Sequence, residues 1–474
     1  MSINNKNKTK SIKTKNTTIN NDCYKKNGFT YVHVKGSPKE RGKAFGRSCA
    51  QDFKKIQEML HFVCEEEYGR SWDFFVDAGK KYLKQTIKKD FSEFYEEMEG
   101  TAEGINEGGV KTDVDEIIAW NNYFTLLDSW YGTFSENGSK KSEGGARDRC
   151  SAFIATGSYT KGGKIVVAHN SFSNFVDGQY MNYVLDIEPE KGNRILMQTC
   201  AGWIWSGTDF FVTSAGIIGT ETTIGGFLPY ENNYPIACRI RKAMQYGNTL
   251  DDYVKILLNG NSGDYANSWL FGDINTNEIL RLELGLKYHN IERTKDGYFV
   301  GFNATYDPKI RNLECTNSGF NDVRRHQGAR KVRLTDLMEK NKGKLDVSLA
   351  QTLIADHYDV YLLKKNNPCS RTVCSHYELD GREYMSQSDR PLPYQPRGAM
   401  DGFVTDSELA KKMSFSGRWG SSCGTPFVSK TFFNKHRQWI QYEPYLHDRP
   451  RQPWTTFSAN AKERNKKNKT LKKL

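Results

Sequence analysis

The sequence predicts an α+β fold in which helices cover a largely antiparallel sheet system. Three observations support this prediction. Apolar residues recur at helical spacing before residue 135, short β-prone runs follow residue 149, and helical periodicity then returns between further strand runs. With 37% hydrophobic and 13% aromatic residues, the 474-residue chain has enough apolar content for one large core or two ordinary ones.

The first part of the chain is predicted to be mostly helical. Residues 37–40, Ser-Pro-Lys-Glu, form a capping box with proline at the first helical position. A second helix is expected over 113–130, where Asp113 and Glu116 make another capping pair. Apolar residues follow the first cap at spacings of three and four: Phe45, Cys49, Phe53, Ile56 and Leu60.

A polar segment over 135–149, almost devoid of apolar residues, divides the chain and has the composition of a mobile surface loop. We therefore expect four parts. They are a disordered basic arm over 1–27, a mostly helical N-terminal chain over 28–149, a strand-and-helix chain over 150–460 that folds with it as one domain, and a disordered basic tail over 461–474.

After the polar segment the pattern changes to strands. Two runs, 151–156 and 164–170, are joined through Lys161-Gly-Gly and predict a β-hairpin. Further strands are expected over 207–213, 216–223, 268–273, 279–284 and 298–302. Helices are expected over 235–246, 250–258, 327–338 and 346–358.

The net charge of +12 is confined to the two ends of the chain. Residues 1–27 hold seven lysines against Asp22, and residues 461–474 hold six lysines and one arginine against Glu463. Because the remaining charges cancel, no basic patch is expected on the folded body and no specific nucleic-acid binding follows. The ends are expected to have a weak, salt-sensitive affinity for polyanions.

The sequence predicts no membrane-spanning helix, no metal site and no cofactor. The longest nearly apolar run, 210–219, is too short to span a bilayer, and the mean hydropathy is −0.71. The N-terminus lacks the apolar stretch of a secretory signal, which favours a cytoplasmic location with reduced cysteines. The ten cysteines show no metal-binding spacing, and Cys369 and Cys374 are the first disulfide candidates if the protein is exported.

Cys150 is the strongest candidate for chemistry, since it lies where the polar segment meets the first strand of the hairpin. We expect its amide to be exposed to cleavage and its side chain to be held by the sheet. A cysteine that becomes N-terminal gains an α-amino group with a pKa of about 8 beside its thiol, so that one residue supplies both nucleophile and general base. The alternative is a free cysteine that is simply buried in the core.

The hairpin resembles that of a known family. Asp-Arg-Cys-Ser-Ala-Phe-Ile at 148–154 and Val-Val-Ala-His-Asn-Ser at 166–171 are similar to the nucleophile hairpin of the phospholipase B-like proteins, a branch of the N-terminal nucleophile hydrolases. Segments 206–223, 367–374 and 398–406 resemble further blocks of that family. Segments 36–46 and 98–105 instead resemble the penicillin acyltransferase-like cysteine peptidases, which share the nucleophile and the fold.

The resemblance implies an αββα four-layer sandwich and self-cleavage between Arg149 and Cys150, after which the fragments stay associated. The resemblance also implies that Cys150 then cleaves acyl bonds through a thioester and that the protein acts in lipid degradation. A lysosomal or secreted location is the alternative that the resemblance adds. Five further site residues are carried over. They are His169, which could orient Cys150; Thr222 and Thr223, one of which could line the site; Asn303, which could donate to the oxyanion; and Arg330, which could fix the surroundings of the nucleophile.

The phospholipase B-like resemblance implies removal of acyl chains from phospholipids, whereas the acyltransferase-like segments imply amide bonds and acyl transfer to an amine. Because all of these reactions pass through the same thioester, the residues do not choose between them, and we expect hydrolysis of a lipid-like acyl group. Aromatic residues of the 203–227 region could line an acyl pocket or simply pack against the sheet: Trp203, Trp205, Phe210, Phe211 and Phe227. Phe172 stands where the family has a tryptophan.

Two other classes of function compete with this interpretation. Gly-Ser-Ser-Cys-Gly at 420–424 matches the nucleophile elbow of α/β-hydrolases, with Ser422 as nucleophile, but the flanking sequence does not fit a strand and a helix. The second alternative is a non-enzymatic protein whose basic ends dock to nucleic acid or an anionic membrane.

Overall fold

The computed structural model describes residues 23–133, 149–207, 210–316, 319–381 and 392–459. Most of the predicted arm (1–22), most of the polar segment (135–148) and the predicted tail (461–474) lie outside the described residues.

The strands form two sheets. In chain order they are β1 (Cys23–Lys26), β2 (Phe29–Gly36), β3 (Cys150–Thr156), β4 (Val166–Asn174), β5 (Tyr183–Pro189), β6 (Ile195–Thr199), β7 (Phe210–Thr213), β8 (Ile217–Thr223), β9 (Asn267–Asp273), β10 (Glu278–Leu284), β11 (His289–Thr294), β12 (Gly297–Gly301), β13 (Arg397–Ala399), β14 (Asp401–Asp406), β15 (Ser414–Trp419) and β16 (Thr455–Ser458).

Within the described residues, the larger sheet has the order β1-β2-β5-β6-β7-β8-β9-β10-β11. The smaller sheet has the order β12-β3-β4-β14-β15-β16, with β13 paired to β4. The strand pairs are antiparallel except for β2 and β5, which run parallel with Thr30 beside Tyr183. The sheets face one another, because a Cβ atom at Gly272 of β9 would lie 3.1 Å from the Ile154 side chain of β3.

The predicted hairpin is confirmed as β3 and β4, with Cys150 opposite Ser171. Its connection is wider than a tight turn, since two short 3₁₀ turns, Gly157–Tyr159 and Lys161–Gly163, separate the strands. The second strand also extends to Asn174, which is four residues further than predicted.

The helices lie before, between and after the strands. They are α1 (Pro38–Tyr68), α2 (Trp72–Tyr82), α3 (Lys84–Asp90), α4 (Ser92–Glu107), α5 (Val114–Asn121), α6 (Tyr131–Thr133), α7 (Phe175–Gly178), α8 (Ile236–Tyr246), α9 (Leu250–Leu258), α10 (His326–Lys340), α11 (Val347–Leu353), α12 (Ser407–Lys411) and α13 (Ser429–Lys435). None of the helices in the described segments combines the length and the apolar content that a bilayer crossing requires.

Helices α1 and α4 pack with almost no separation because glycines face backbone across the contact. A Cβ atom at Gly42 would lie 1.9 Å from the Glu97 carbonyl oxygen, and one at Gly46 would lie 2.2 Å from that of Thr101. Gly100 and Gly104 of α4 meet carbonyl oxygens of α1 in the same way. The two Gly-x-x-x-Gly spacings therefore allow a backbone approach that any larger residue prevents.

Three sequence-based boundaries were wrong. Cys23–Lys26, assigned to the arm, form β1, because Tyr24 stacks on Tyr31 with ring centroids 4.8 Å apart. The helix predicted over 113–130 ends at Asn121 and is followed by a π-helical segment, Thr125–Trp130. The helix predicted over 346–358 ends at Leu353 as α11. It stops there because the Ile354 carbonyl accepts hydrogen bonds from the Asn170 amide and the Ser422 hydroxyl.

Two hydrophobic clusters hold these layers together. The larger one joins the inner faces of the sheets to α1, α4 and α5. The smaller one lies between the outer face of the smaller sheet and α10 and α11. Residues 150, 152 and 154 of β3 face the other sheet, whereas 151, 153 and 155 face the α10 side, so the strand that starts at Cys150 is covered on both faces.

Candidate active site

Cys150 begins β3 and is almost completely buried. Its backbone N–H donates to Asn303 Oδ1 at 3.2 Å, and its Sγ atom lies 3.5 Å from Glu221 Oε1 of β8. The same carboxylate oxygen accepts a hydrogen bond from the Tyr265 hydroxyl at 3.0 Å. The thiol therefore faces a buried carboxylate that can accept its proton.

Asn303 connects the two sheets at the backbone of Cys150. It follows β12 with φ of 63°, a left-handed conformation that asparagine tolerates better than most residues. Its Oδ1 accepts from the Cys150 N–H and from Arg330 Nη2, the latter at 2.8 Å, while its Nδ2 donates to the Thr223 carbonyl at 2.7 Å. One of the two Nδ2 hydrogens is thus engaged by Thr223, and the expected donation to an oxyanion would use the other.

Arg330 of α10 is fully buried and makes hydrogen bonds to the residues around Cys150. Its guanidinium donates to the Cys150 carbonyl, to Ser151 Oγ at 3.1 Å and to Asn303 Oδ1, and its Nε donates to the His326 carbonyl. The guanidinium carbon also lies 5.1 Å from the ring centre of Phe172. Phe172 therefore supports this cation.

The structure separates the roles of the two threonines. A Cβ atom at Gly301 of β12 would lie 2.5 Å from Thr222 Cγ2, so the Thr222 side chain points across to the nucleophile's sheet. Thr223 instead contributes its carbonyl oxygen to Asn303. Both side chains are fully buried.

His169 lies on β4 and pairs with Ala152, which follows Cys150 by two residues on β3. Its ring is 6.4 Å from that of Phe210 and is fully buried. Burial lowers the pKa of His169 to about 3, against a smaller opposing effect of the Glu221 backbone. The imidazole is therefore neutral at pH 7 and lies among apolar groups.

The bond that precedes Cys150 is enclosed, which differs from the exposed amide we expected. Arg149 is 5% exposed, its guanidinium pairs with Asp128, and it lies 4.0 Å from the ring centre of Phe124. Burial opposes the charge, but Asp128 raises the pKa of Arg149 above its usual value. The Arg149 carbonyl accepts a hydrogen bond from the Phe172 N–H, so the carbonyl of the bond that precedes Cys150 already has a donor.

Buried polar residues on β4 and β14 support the other side of the hairpin. Asn170 Oδ1 accepts from the Ser151 N–H at 3.2 Å. Asp401 accepts from the Ser171 N–H at 3.0 Å and from its hydroxyl at 2.6 Å. Burial raises the pKa of Asp401 to about 6, although these hydrogen bonds oppose the shift.

Sequence reasoning missed Glu221, Asp128 and Asn170. Glu221 directly precedes the Thr-Thr pair, and a carboxylate within the strand-forming run that became β8 was the signal that could have identified it. Asp128 and Asn170 give no comparable signal.

The aromatic residues proposed for an acyl pocket lie in the core. Trp203 and Trp205 stack with ring centroids 5.3 Å apart, and Phe210 and Phe211 are fully buried in the same cluster. Phe227 belongs to a separate small cluster.

Ser422 makes buried hydrogen bonds to other segments of the chain. Its hydroxyl donates to the Ile354 carbonyl at 3.0 Å and accepts from Asn170 Nδ2 at 3.1 Å. It lies in a turn after β15, and the next helix, α13, begins only at Ser429. The strand-turn-helix geometry of a nucleophile elbow is therefore not formed here.

No family model matches the chain. Over 247 residues it is 24% identical to an uncharacterized protein of Archaeoglobus fulgidus, covering 50% of this chain and 40% of the relative. Over 145 residues it is 29% identical to the putative phospholipase B-like 2 of Mus musculus, covering 26% of this chain and 23% of the relative. The chain thus spans less than half the length of these two curated relatives.

Solved structures give looser matches. A mutant of conjugated bile acid hydrolase from Clostridium perfringens superposes with a TM-score of 0.33 and 9% identity over 57% of this chain and 89% of the other. A variant of the same enzyme gives 0.25 and 9% over 61% and 83%. Superpositions this loose do not establish a shared fold.

Proposed function

We infer that this protein is an N-terminal cysteine hydrolase that cleaves its own chain before Cys150 and then hydrolyses an acyl bond through a thioester. The observation that carries the proposal is the convergence of Asn303 and Arg330 on the backbone nitrogen and oxygen of Cys150. Any buried backbone group needs a partner, but here two buried side chains from outside the hairpin supply both partners. The distant similarity to a phospholipase B-like protein supports the same class of enzyme.

Self-cleavage requires a nucleophile, a proton acceptor and a donor to the carbonyl, and the described residues supply all three. The Cys150 thiol passes its proton to Glu221, and its sulfur attacks the Arg149 carbonyl carbon. The Phe172 N–H stabilises the developing oxyanion. The carbon–nitrogen bond then breaks, the nitrogen takes up the proton as the new α-amine, and water hydrolyses the thioester to the Arg149 carboxylate and the free thiol.

The freed amine then acts as the base for substrate turnover. It stays beside Asn303 Oδ1, while Arg330 holds the Cys150 carbonyl and so fixes the direction of the thiol. The thiol attacks the substrate acyl carbon, the leaving group departs with a proton from the amine, and water resolves the second thioester. We propose an αββα arrangement of the layers for this enzyme and a lipid-like ester or amide as its substrate.

The test is to follow fragment formation in the wild-type chain and in Cys150→Ala. Wild type should convert from 54.3 kDa to fragments of about 17 and 37 kDa, in proportion to residues 1–149 and 150–474, with Cys150 as the new N-terminal residue. Cys150→Ala should stay intact, and only processed wild type should hydrolyse a panel of N-acyl amides and acyl esters.

Cys238→Ala is a matched control, because Cys238 is also fully buried but lies on α8. This variant should be processed and active like wild type. Cleavage of Cys150→Ala at the same bond would contradict self-processing. A processed wild type that is not acylated at Cys150 by any panel member would contradict the enzymatic proposal.

A further inference from the structure

Four metal-ligating side chains meet at a point that the proposed catalysis does not use. His357, Cys374, His376 and Cys423 bring their ligand atoms within 4.8 Å of one another. They come from three places: the loop after α11, the segment before the 3₁₀ turn Tyr377–Leu379, and the turn after β15. Sequence spacing did not reveal the cluster because 66 positions separate the first ligand from the last.

The measured distances suit tetrahedral coordination. His376 Nε2 lies 3.4 Å from Cys374 Sγ and 3.4 Å from Cys423 Sγ. In a tetrahedral zinc site, bond lengths of about 2.3 Å to sulfur and 2.0 Å to nitrogen place such atoms about 3.5 Å apart. His357 also contacts the Cys423 side chain, so both histidines and both sulfur atoms converge on one point.

The surroundings also have the features of a metal site. His376 Nδ1 lies 2.8 Å from Glu378 Oε1, which orients Nε2 towards the two sulfur atoms. The Thr425 N–H donates to Cys423 Sγ at 3.4 Å and so helps to hold a thiolate. Cys374 and His376 are buried, whereas His357 and Cys423 are partly exposed and leave a route from solvent.

We propose that His357, Cys374, His376 and Cys423 bind one zinc ion. Two thiolates and two imidazoles favour zinc over magnesium or calcium, which prefer oxygen ligands. Four protein ligands complete the tetrahedron, so the ion has a structural role. This proposal is independent of the proposed function.

The position of the ligands gives the ion a specific task. Asn170 Nδ2 donates to the carbonyls of Ile354 and Val373 and to the Ser422 hydroxyl. Val373 and Ser422 directly precede ligands, and Ile354 lies three residues before His357. Zinc therefore ties together the three segments that hold Asn170, whose Oδ1 in turn accepts from Ser151 next to the nucleophile.

The first test is the metal content of the purified full-length chain, measured by inductively coupled plasma mass spectrometry. Wild type should carry about one zinc per chain. His357→Gln and Cys423→Ser, which change the two most exposed ligands, should each lower the content about fivefold or more. Cys369→Ser is the matched control, since this buried cysteine lies five residues before Cys374 and is not a ligand, and it should retain the ion.

A second measurement covers the case in which the ligand variants do not fold. Wild-type chain incubated with Co²⁺ should develop the absorption of a tetrahedral cobalt–thiolate site, and added Zn²⁺ should remove it. Cys150→Ala should behave like wild type in both assays, which separates this proposal from the catalytic one. Three results would each overturn the proposal. They are a folded wild type that contains no zinc and develops no cobalt absorption, ligand variants whose zinc content is unchanged, and a Cys374–Cys423 disulfide in non-reduced peptides.

Discussion

Arg330 shows how a single residue can organise a buried site. Its planar guanidinium reaches acceptors on Cys150, Ser151 and Asn303, which come from two different strand ends. A compact ammonium cannot present donors in the same fixed directions. The spacing of the three acceptors therefore depends on arginine rather than on positive charge alone.

Arg330→Lys is expected to slow self-cleavage at least about tenfold while the chain still folds, because the charge is kept and the fork is lost. The rate of fragment appearance on denaturing gels measures this. Arg324→Lys serves as the control, since Arg324 pairs with Asp322 at the surface. Equal rates for Arg330→Lys and wild type would remove Arg330 from the positioning of Cys150.

His169 makes the stability of the fold depend on pH. Its pKa falls from 6.5 to about 3 on burial, so the unfolded chain binds a proton that the folded chain excludes between these values. The stabilising contribution is present above pH 6.5 and is lost as the pH falls towards 3. Asp401, whose raised pKa of about 6 stabilises the protonated folded form, acts in the opposite direction as the pH falls.

We therefore compare His169→Asn with wild type by urea unfolding at pH 7.5 and pH 5. The difference in free energy of unfolding between the two proteins should change by about 2 kcal/mol between these pH values, with wild type losing more on acidification. A difference that does not vary with pH would show that His169 titrates alike in the folded and unfolded states, and a difference that varies in the opposite direction would show that it is charged in the folded state.

At the scale of elements, the contact between α1 and α4 depends on glycine. Gly46→Ala should lower the free energy of unfolding by about 3 kcal/mol, because the new methyl group meets backbone that cannot move aside. Gly79→Ala of α2 is the control. Its Cβ atom would lie 3.5 Å from Ala119, an ordinary contact, and alanine favours the helix by up to about 1 kcal/mol. Thermal unfolding of both variants tests the contrast, which would vanish if the helices could separate freely.

Local signals were enough to predict many of these elements. The capping box at Ser37 and the Asp113 cap fix where α1 and α5 begin, and the β-prone runs became β8, β9, β10 and β12 within a few residues. The ends were less predictable because tertiary contacts decide them. The Ile354 carbonyl ends α11 by accepting from residues that are 184 and 68 positions away.

The candidate site was predictable only in part for the same reason. The Cys150 hairpin and the segments around Asn303 and Arg330 have recognisable local sequences, but nothing local indicates that Glu221 approaches the thiol across the two sheets. The four proposed zinc ligands are a stronger case, since only the folded chain brings them together. Long-range juxtaposition, rather than residue type, is what one sequence does not display.

At the scale of the whole molecule, the chain before Arg149 is built into the chain that follows it. Strand β2 pairs in parallel with β5, and Glu97 of α4 lies between Arg41 of α1 and Arg241 of α8 at 2.7 and 3.0 Å. The β2–β5 pairing and the Glu97–Arg241 ion pair cross the proposed cleavage point. The two fragments should therefore elute together on gel filtration and separate only in denaturant.

Glu97→Gln should lower the stability of this association by about 3–5 kcal/mol, because it leaves two buried arginines without their shared carboxylate. Urea titration followed by fragment separation measures the change. Glu103→Gln on the same helix should have little effect, since Glu103 pairs with Lys39 at the surface. Fragments that part without denaturant would contradict the shared-fold interpretation.

The enclosure of Arg149 has a consequence for the timing of activity. Once the proposed bond breaks, the new chain end is still anchored beside Cys150 through the contacts of Arg149 with Asp128 and Phe124. The newly cleaved protein would thus start with its own new chain end, Arg149, bound beside Cys150. Progress curves of substrate hydrolysis by freshly cleaved protein should show a lag, and this lag should be shorter in Asp128→Asn. The Arg149–Asp128 ion pair would then set the delay between self-cleavage and substrate turnover.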